Sequence, residues 1–370
     1  MTGFRICILW LVGFGIAAES GCAPSRYSVA PPAVYRVAPA DAVCEYGPRP
    51  AKTVLAVSGG GMYGAYAAGF LAGWTDTGTR PEFDVVTGVS TGALIGTCAF
   101  LGPEFDAAAR KFYTGVKATD VYSTRYWVTI PFSPAAASNK PFKNLIDQAV
   151  TADVIAGVAA GHKAGRRLYV GTTDLETRRL VIWDMGAIAC RCTPESADLF
   201  RAVLLASCSV PGMLPPIPIE VVSNDRPRLE WHADGGAAAP LFVPQNLLTQ
   251  ENTAAAKGTD VYILVAGKFY PDPAPVHPRV LSILGASATA IVYAHCRSEL
   301  ASLYHLSKLA GADYHVAALP QDFKTTGDSV SFDPVELQRL FEAGYRQGAG
   351  GPVWFPAPPS ESAASSDPRQ

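Results

Sequence analysis

Short apolar runs alternate with stretches of helical periodicity along most of the chain. Thr53–Val57 (TVLAV) is apolar at nearly every position and ends in a glycine cluster, which is typical of a parallel strand buried on both faces. Residues 62–73 then carry apolar side chains at helical spacing. The same two patterns predict further strands over 83–87, 168–172, 180–183, 261–265 and 314–319, and further helices over 93–101, 199–207, 280–310 and 334–345. This alternation predicts an α/β fold with a mainly parallel central sheet covered by helices on both faces.

The first residues form a different pattern. Residues 6–18 are a nearly unbroken apolar run, shorter than the ~20 residues that a membrane-spanning helix needs. Small residues and Cys22 follow, which resembles a bacterial lipoprotein signal. We therefore expect a signal peptide over residues 1–21, lipidation of Cys22, and a chain exported to the bacterial cell envelope. Ordinary secretion and an uncleaved anchor are the alternatives.

The rest of the chain divides by composition into three parts. Residues 22–50 are rich in proline, alanine and serine, which predicts a tether between the anchored end and a folded domain. Residues 51–348 carry the alternating pattern and are expected to form one domain. Residues 349–370 are again rich in proline, serine and alanine, which predicts a disordered tail.

Composition excludes some classes of function. Charged residues make up 17% of the 370 positions and apolar residues 49%, so the chain can bury a core. The 30 basic and 32 acidic residues leave a net charge of −2, which argues against nucleic acid as the main partner. The six histidines are scattered and form no ligand pair beside carboxylates. We therefore expect neither a metal nor an organic cofactor.

The sequence GVSTG carries the clearest chemical signal. It lies between a predicted strand and a predicted helix, the context in which a G-x-S-x-G motif forms a nucleophile elbow. A serine on so sharp a turn approaches neighbouring backbone closely, so Gly88 and Gly92 must lack a Cβ. The following helix directs its positive N-terminus at an oxyanion forming beside the serine. Ser90 is therefore predicted to be the nucleophile.

A second cluster, SGGGMYG, also follows a strand and opens a helix. Consecutive glycines allow backbone N–H groups to converge on one anionic oxygen, so Gly59, Gly60 and Gly61 are predicted to form an oxyanion hole. The alternative is dinucleotide binding, because Gly59, Gly61 and Gly64 also satisfy G-x-G-x-x-G. Asp84 lies 20 residues beyond Gly64, near where a ribose-binding acid is found. That alternative leaves the serine elbow unexplained.

The third cluster is DGG, which begins at Asp234. An aspartate at the end of a short strand, followed by two glycines, can direct its carboxylate into a cleft. An ordinary Asp-Gly turn would have the same sequence. The cluster gains its catalytic interpretation from the two clusters that precede it.

Together the three clusters resemble the patatin-like phospholipase family, in the same order along the chain. Two further segments are similar to the family, YVGTTDLETRR over residues 169–179 and ASCSVPGMLPP over residues 206–216. The similarity covers about residues 52–244 and continues to about residue 345. Tyr63 stands where the family often has arginine or lysine. The resemblance implies a three-layer α/β/α fold with a mainly parallel sheet.

The resemblance also implies a mechanism and a substrate. Ser90 would attack an acyl ester, Asp234 would accept its proton directly, and N–H groups around Gly59, Gly60 and Gly61 would hold the oxyanion. A carboxylate is a weak base for a serine, so the site would be partly desolvated or the pKa of Asp234 raised. The substrate would be a phospholipid, lysophospholipid or other acyl ester, reached from a membrane surface through the lipid anchor.

The sequence leaves two further alternatives open, a catalytic triad that includes a histidine and a protein without catalytic activity. An α/β-hydrolase triad would need a histidine after the acid, and no histidine there follows a clear strand-end loop signal; the candidates are His277, His295, His305 and His315. His232 lies near Asp234 but precedes it. A lipid-binding lipoprotein that kept the fold without catalysis is the other possibility.

Overall fold

The computed structural model describes residues 34–36, 48–126, 132–223, 226–244, 247–248, 256–327 and 329–358. The chain divides into two units, Met1–Pro32 and Ala33–Gln370, and the whole of the first lies outside the described residues. The predicted signal peptide and Cys22 therefore lie outside the described residues, as do most of the predicted tether and most of the predicted tail.

Nine strands of the described residues form one sheet, and two short strands form a separate pair. The strands are β1 (Val34–Arg36), β2 (Thr53–Val57), β3 (Val85–Val89), β4 (Ser123–Thr124), β5 (Ala137–Ser138), β6 (Arg167–Asp174), β7 (Arg179–Asp184), β8 (Ile217–Ser223), β9 (Arg226–Asp234), β10 (Asp260–Val265) and β11 (Asp313–Ala318).

The large sheet is mixed and mainly parallel. Its order is β1-β7-β6-β3-β2-β10-β11, with β9 also paired to β6 and β8 paired to β9. Five of its strand pairs are parallel, namely β1–β7, β6–β3, β3–β2, β2–β10 and β10–β11. The other three pairs, β6–β7, β6–β9 and β8–β9, are antiparallel. Strands β2 and β3 therefore run side by side in the same direction, and both of their carboxyl ends reach one edge of the sheet.

Alternation along β2 explains why that strand is apolar throughout. Leu55 and Val57 lie in one hydrophobic core, and Val54 and Ala56 lie in another on the opposite face. All four side chains are at most 1% exposed. A strand covered on both faces has no solvent side on which to place polar residues. This three-layer α/β/α arrangement confirms the predicted fold class.

Ten α-helices of the described residues cover the sheet and its connections. They are α1 (Gly64–Asp76), α2 (Thr91–Leu101), α3 (Asp106–Gly115), α4 (Ala118–Val121), α5 (Lys140–Ala149), α6 (Ala152–Lys163), α7 (Met185–Ala189), α8 (Pro194–Ser207), α9 (Val280–Ala310) and α10 (Pro334–Ala349). Of these helices, not one combines the length and the apolar character that crossing a membrane requires.

Glycines allow α1 and α10 to pack closely. A Cβ on Gly69 would overlap the carbonyl oxygen of Phe341, and one on Gly344 would overlap that of Tyr66. Small residues at these crossing points bring the two helix backbones together. Helices α1, α2 and α8 contribute to the core that contains Leu55, whereas α9 packs against the core on the other face.

The pattern along the chain located the buried elements better than the half-buried ones. Helix α3 buries only Ala109 and Tyr113, and α5 buries only Phe142 and Ile146, so neither was predicted. Both helices are polar on average and bury only a narrow stripe, so a search for apolar stretches passes over them although the stripe has helical spacing. Strand β1 was also missed, although it lies within the predicted tether and pairs with β7.

Candidate active site

Three segments bring the predicted site residues to one edge of the sheet. The glycine-rich loop follows β2, and Ser90 follows β3, its parallel neighbour. Strand β9 runs antiparallel to β6 and ends at Asp234, which lies opposite Thr172. Since β6 pairs with β3, Asp234 arrives beside the end of β3. The sheet topology thus assembles residues that are up to 175 positions apart in the chain (234 − 59).

Ser90 occupies a strained turn. Its φ is 55° and its ψ is −129°, a conformation that non-glycine residues rarely adopt. The turn is so tight that a Cβ on Gly88 would overlap the carbonyl oxygen of Gly92. A Cβ on Gly92 would in turn overlap that of Val57. Ser90 is the residue immediately before α2, so the N-terminus of that helix lies beside the hydroxyl.

A serine that the motif analysis did not single out holds the elbow in place. The Ser90 N–H donates to Ser207 Oγ at 2.9 Å, and Ser207 Oγ donates to the Gly171 carbonyl oxygen at 2.7 Å. Ser207 is fully buried at the end of α8. The only sequence signal was its place in the segment ASCSVPG, where the resemblance assigned it no role.

Asp234 is held by its backbone and by one carboxylate oxygen. Its Oδ1 accepts from the Gly236 N–H at 2.7 Å, and its carbonyl oxygen accepts from Thr173 Oγ1 at 2.8 Å. A Cβ on Gly235 would overlap the Gly171 carbonyl oxygen, so the turn after Asp234 packs directly against β6. The Ser90 hydroxyl lies close enough to this carboxylate to favour its charged form and so to lower its pKa.

Burial sets the electrostatics of this pair. Ser90 is 8% exposed and Asp234 is 6% exposed. Burial raises the pKa of Asp234 to about 6, although the nearby Ser90 hydroxyl and the hydrogen bond from the Gly236 N–H oppose the change. A carboxylate with this pKa is a stronger base than an exposed one and is still largely ionised at neutral pH.

Cys208 lies against both members of the pair. Burial raises the pKa of its thiol well above the usual value, and the negative charge of Asp234 raises it further. The Ser90 hydroxyl acts in the opposite direction and favours the thiolate, but its effect on the pKa is smaller. The thiol therefore stays protonated at neutral pH.

The glycine-rich loop offers two N–H groups rather than three. The Gly59 N–H donates to the Pro240 carbonyl oxygen at 3.0 Å, so the prediction that it helps to hold an oxyanion is wrong. Gly59 instead allows the loop to approach Ser90, because a Cβ there would lie 3.2 Å from Ser90 Cβ. Within the described residues, the N–H groups of Gly60 and Gly61 donate no hydrogen bond.

Close backbone contacts exclude a side chain at Gly60 and at Gly61. A Cβ on Gly60 would overlap the carbonyl oxygen of Ala266, and one on Gly61 would overlap that of Ser329. Gly61 also has a φ of +57°. Neither position accepts a side chain without displacing backbone.

A narrow cavity of about 50 Å³ lies beside Ser90. We call it the nucleophile pocket. Ser90, Gly61 and Cys208 line it together with apolar side chains that include Leu94, Phe112 and Met213. The surroundings of the serine are therefore apolar apart from the groups described above.

A family comparison covers the same three segments of the chain. The model of the patatin-like phospholipase family matches residues 55–246, which include the glycine-rich loop, Ser90 and Asp234. The chain belongs to the patatin-like phospholipase family. The matched region ends shortly after Asp234, so α9, β11 and α10 lie beyond it.

Two solved structures are distantly similar to this patatin-like chain. VipD from Legionella pneumophila is 14% identical over 82% of this chain and 66% of its own, with a TM-score of 0.40. ExoU from Pseudomonas aeruginosa, solved in complex with SpcU, is 14% identical over 72% of this chain and 52% of its own, with a TM-score of 0.32. The patatin-like chain thus spans less than two thirds of either structure. A comparison with curated proteins gave no match.

Histidine is missing from the pocket of this patatin-like chain. All six histidines lie in the described part of the chain, and none lines the nucleophile pocket. His232 is the nearest to Asp234 in sequence. Its Nδ1 lies 3.0 Å from Thr172 Oγ1, and its ring packs edge-on against Trp183. His232 is therefore engaged within the sheet, through Thr172 and Trp183.

The dinucleotide alternative does not fit the topology. Asp84 precedes β3, so it lies at the edge of the sheet opposite the glycine-rich loop. Its carboxylate accepts from the backbone N–H groups of Lys52 and Thr53 at 2.7 and 3.0 Å and pairs with Arg49. The role of a ribose-binding acid for Asp84 is thus excluded. Among the described residues, no group of three histidines, cysteines or acids is placed to hold a metal ion.

Proposed function

We propose that this protein is a serine lipid acyl hydrolase that uses Ser90 as nucleophile and Asp234 as general base. The observation that carries the proposal is the placement of the strained Ser90 elbow beside the buried Asp234 carboxylate, close enough for the hydroxyl to influence the pKa of that carboxylate. The positive φ of Ser90 supports it, because such strain persists at positions where function requires it.

In the first half of the reaction, Ser90 Oγ attacks the ester carbonyl carbon while its proton passes to Asp234. The raised pKa of Asp234 brings its proton affinity closer to that of the attacking serine, which a carboxylate of ordinary pKa would match poorly. The tetrahedral intermediate then collapses, and Asp234 returns the proton to the departing alcohol. An acyl group remains on Ser90 Oγ.

In the second half, water replaces the alcohol. Asp234 takes a proton from the water, whose oxygen attacks the acyl carbon, and Ser90 Oγ leaves with that proton. The products are the free fatty acid and the regenerated serine. One carboxylate thus serves both halves, and the scheme requires no histidine.

The negative oxygen of each intermediate needs hydrogen-bond donors. The N–H groups of Gly60 and Gly61 are the donors in this proposal, since both are unpaired among the described residues and Gly61 lines the nucleophile pocket. The N-terminus of α2 adds its partial positive charge beside Ser90. Removing one such donor typically costs about 100- to 1,000-fold in rate.

The proposal is tested by hydrolysis of p-nitrophenyl butyrate and of phospholipid vesicles by wild type, Ser90→Ala and Asp234→Asn. Asp313→Asn is a matched control, because Asp313 is exposed and begins β11, at the edge of the sheet away from the site. Loss in both site variants with retention in the control supports the dyad. Unaltered activity in either site variant would reject it.

The non-catalytic alternative has its own readout. A fluorophosphonate reacts covalently with an activated serine and not with an ordinary one. Labelling of wild type but not of Ser90→Ala, measured as a mass increase, supports catalysis. Lipid binding without such labelling would favour the lipid-binding protein.

We also propose that the protein is exported and anchored to a membrane through a lipid on Cys22. The apolar run over residues 6–18 and the small residues before Cys22 support this proposal. Growth of cells with a palmitate analogue tests it. Cys22→Ser should abolish incorporation of the analogue and release the protein from the membrane fraction, and incorporation into Cys22→Ser would contradict it.

A further inference from the structure

A second and much larger cavity lies behind the nucleophile pocket. Its volume is about 580 Å³, and its walls come from α2, α3, α4, α5, α6 and α8. The walls are mostly apolar, with Leu101, Leu145 and Leu204 among them. Nothing in the dyad mechanism uses this space. Apolar surface of this extent facing water is unfavourable, and an apolar ligand would remove that cost.

The two cavities share a wall. Four residues line both, namely Leu94, Phe112, Tyr113 and Val116. Tyr113 is the fixed part, since its hydroxyl donates to the Thr91 carbonyl oxygen at 3.0 Å and lies 2.6 Å from Thr91 Oγ1. Leu94 and Phe112 are only partly buried and make no polar contact through their side chains. Apolar packing alone holds these two side chains in the wall.

The sizes of the two cavities decide what each can hold. A dry cavity of ~150 Å³ in another protein holds one benzene ring. At about 50 Å³, the nucleophile pocket has room for an ester carbonyl and the first methylene groups only. At about 580 Å³, the second cavity has room for a long alkyl chain.

We propose that the second cavity is the binding site for the acyl chain of the ester that Ser90 cleaves, and we call it the acyl chamber. This inference rests on the proposed function. The carbonyl sits in the nucleophile pocket, and the chain passes Leu94 and Phe112 into the chamber. Substrates with medium or long saturated chains are therefore preferred over short ones.

The rim of the chamber limits the length of the chain. Lys111, Asp120 and Gln148 line it and are exposed to solvent. A chain that ends among the leucines buries all of its methylene groups, whereas a longer one reaches polar side chains and water. The gain in binding with each added carbon should therefore stop at a defined length.

Gly115 provides a direct way to fill the chamber. It lines the chamber at the end of α3, and a Cβ placed on it would meet no atom within 4 Å. Gly115→Leu should therefore fold and occupy part of the space. Gly285 in α9 is a matched control, because it is also a helical glycine with no atom within 4 Å of its Cβ position and does not line the chamber.

The experiment measures kcat/KM for p-nitrophenyl esters of 4, 8 and 12 carbons, below the concentrations at which they aggregate. For wild type we expect kcat/KM to rise about fourfold per added methylene until the rim is reached. Gly115→Leu should lower the ratio of the 12-carbon to the 4-carbon value at least tenfold, and Gly285→Leu should leave it unaltered. A wild-type profile that is flat, an unaltered ratio in Gly115→Leu, or the same loss in Gly285→Leu would overturn the proposal.

A binding measurement separates failure of the chamber from failure of the chemistry. Ser90→Ala protein is titrated with the fluorescent fatty acid cis-parinarate, which is then displaced by dodecanoate. We expect saturable binding that Gly115→Leu weakens about tenfold and Gly285→Leu does not. Binding without any ester hydrolysis in wild type would reject the proposed function and keep the chamber. Hydrolysis without this binding would reject the chamber and keep the function.

Discussion

Two regions of the molecule differ in how tightly they are packed. One is the edge of the sheet that carries Ser90, and the other is the acyl chamber behind it. At the edge, a Cβ on Gly60, Gly88 or Gly92 would overlap a neighbouring carbonyl oxygen. In the chamber, a Cβ on Gly115 would touch nothing. Tight backbone contacts hold these glycine turns at the edge, whereas side chains of six helices line the spacious chamber. Catalysis therefore depends on the tightly packed edge of the sheet, and the choice of substrate depends on the acyl chamber.

The largest expected effect tests whether the edge works as one unit. Ser90→Ala and Asp234→Asn should each lower kcat for p-nitrophenyl butyrate about 10⁴-fold, because each removes a group that the same proton transfer requires. The double variant should be no slower than the slower single variant, since groups that act together do not add. Initial rates of the three variants check this. Additive losses would show that Ser90 and Asp234 act in separate steps.

The next effect concerns a backbone donor. Gly60→Ala should lower kcat about 100- to 1,000-fold, because the new Cβ would overlap the Ala266 carbonyl oxygen and the loop must shift, carrying its N–H away from the oxyanion. Thermal unfolding of the variant checks that it is folded. Gly285→Ala is the control, because a Cβ fits there without contact. Wild-type rates in Gly60→Ala would remove this loop from the oxyanion hole.

The sequence predicts the edge of the sheet well and the acyl chamber poorly. Ser90, Asp234 and the glycines were predicted because steric demands on a tight turn dictate residue type over a few adjacent positions. Gly59 was misassigned, since the partner of its N–H is Pro240, which only the fold brings near. The acyl chamber was not predicted at all. Its walls are ordinary apolar residues of α3, α5 and other helices, and at such positions many side chains would serve.

The third prediction concerns the cost of a buried carboxylate. Burial raises the pKa of Asp234 from 3.8 to about 6, so the folded state holds this proton more tightly than the unfolded chain does. The contribution of Asp234 to wild-type stability is therefore most favourable at low pH and falls as pH rises from about 4 to about 6. Relative to wild type, Asp234→Asn should gain roughly 3 kcal/mol in its free energy of unfolding between pH 4 and pH 7. Urea unfolding at several pH values measures the difference, and a constant difference would contradict the raised pKa.

The fourth prediction is the pH profile of catalysis. Asp234 accepts a proton only when it is ionised, so kcat/KM should be half-maximal near pH 6 and fall about tenfold per pH unit below that. Rates with p-nitrophenyl butyrate, whose binding involves no titrating group, measure this dependence. Gly115→Leu should keep the same midpoint, because in this proposal the chamber binds the acyl chain and takes no part in the proton transfer to Asp234. A midpoint near pH 4 would mean that the carboxylate is solvated in the working enzyme.

The smallest effect comes from Ser207, which links the edge to the rest of the sheet. Ser207→Ala leaves the buried Ser90 N–H without its acceptor at 2.9 Å, which should cost about 1–3 kcal/mol in the free energy of unfolding. It should also lower kcat, by tenfold or less, because the elbow loses one of its fixed contacts. KM should change little, since Ser207 does not line the nucleophile pocket.

Ser209→Ala separates the two effects of the Ser207 change. Ser209 is equally buried, and its Oγ donates to the Leu205 carbonyl oxygen at 2.8 Å rather than serving the elbow. Both variants should lose stability, which urea unfolding measures, but only Ser207→Ala should lower kcat. Equal loss of kcat in both would mean that general loosening of α8, and not the Ser90 N–H contact, controls the position of the nucleophile. The rigidity of the edge would then come from packing of the helix, as it does in the walls of the chamber.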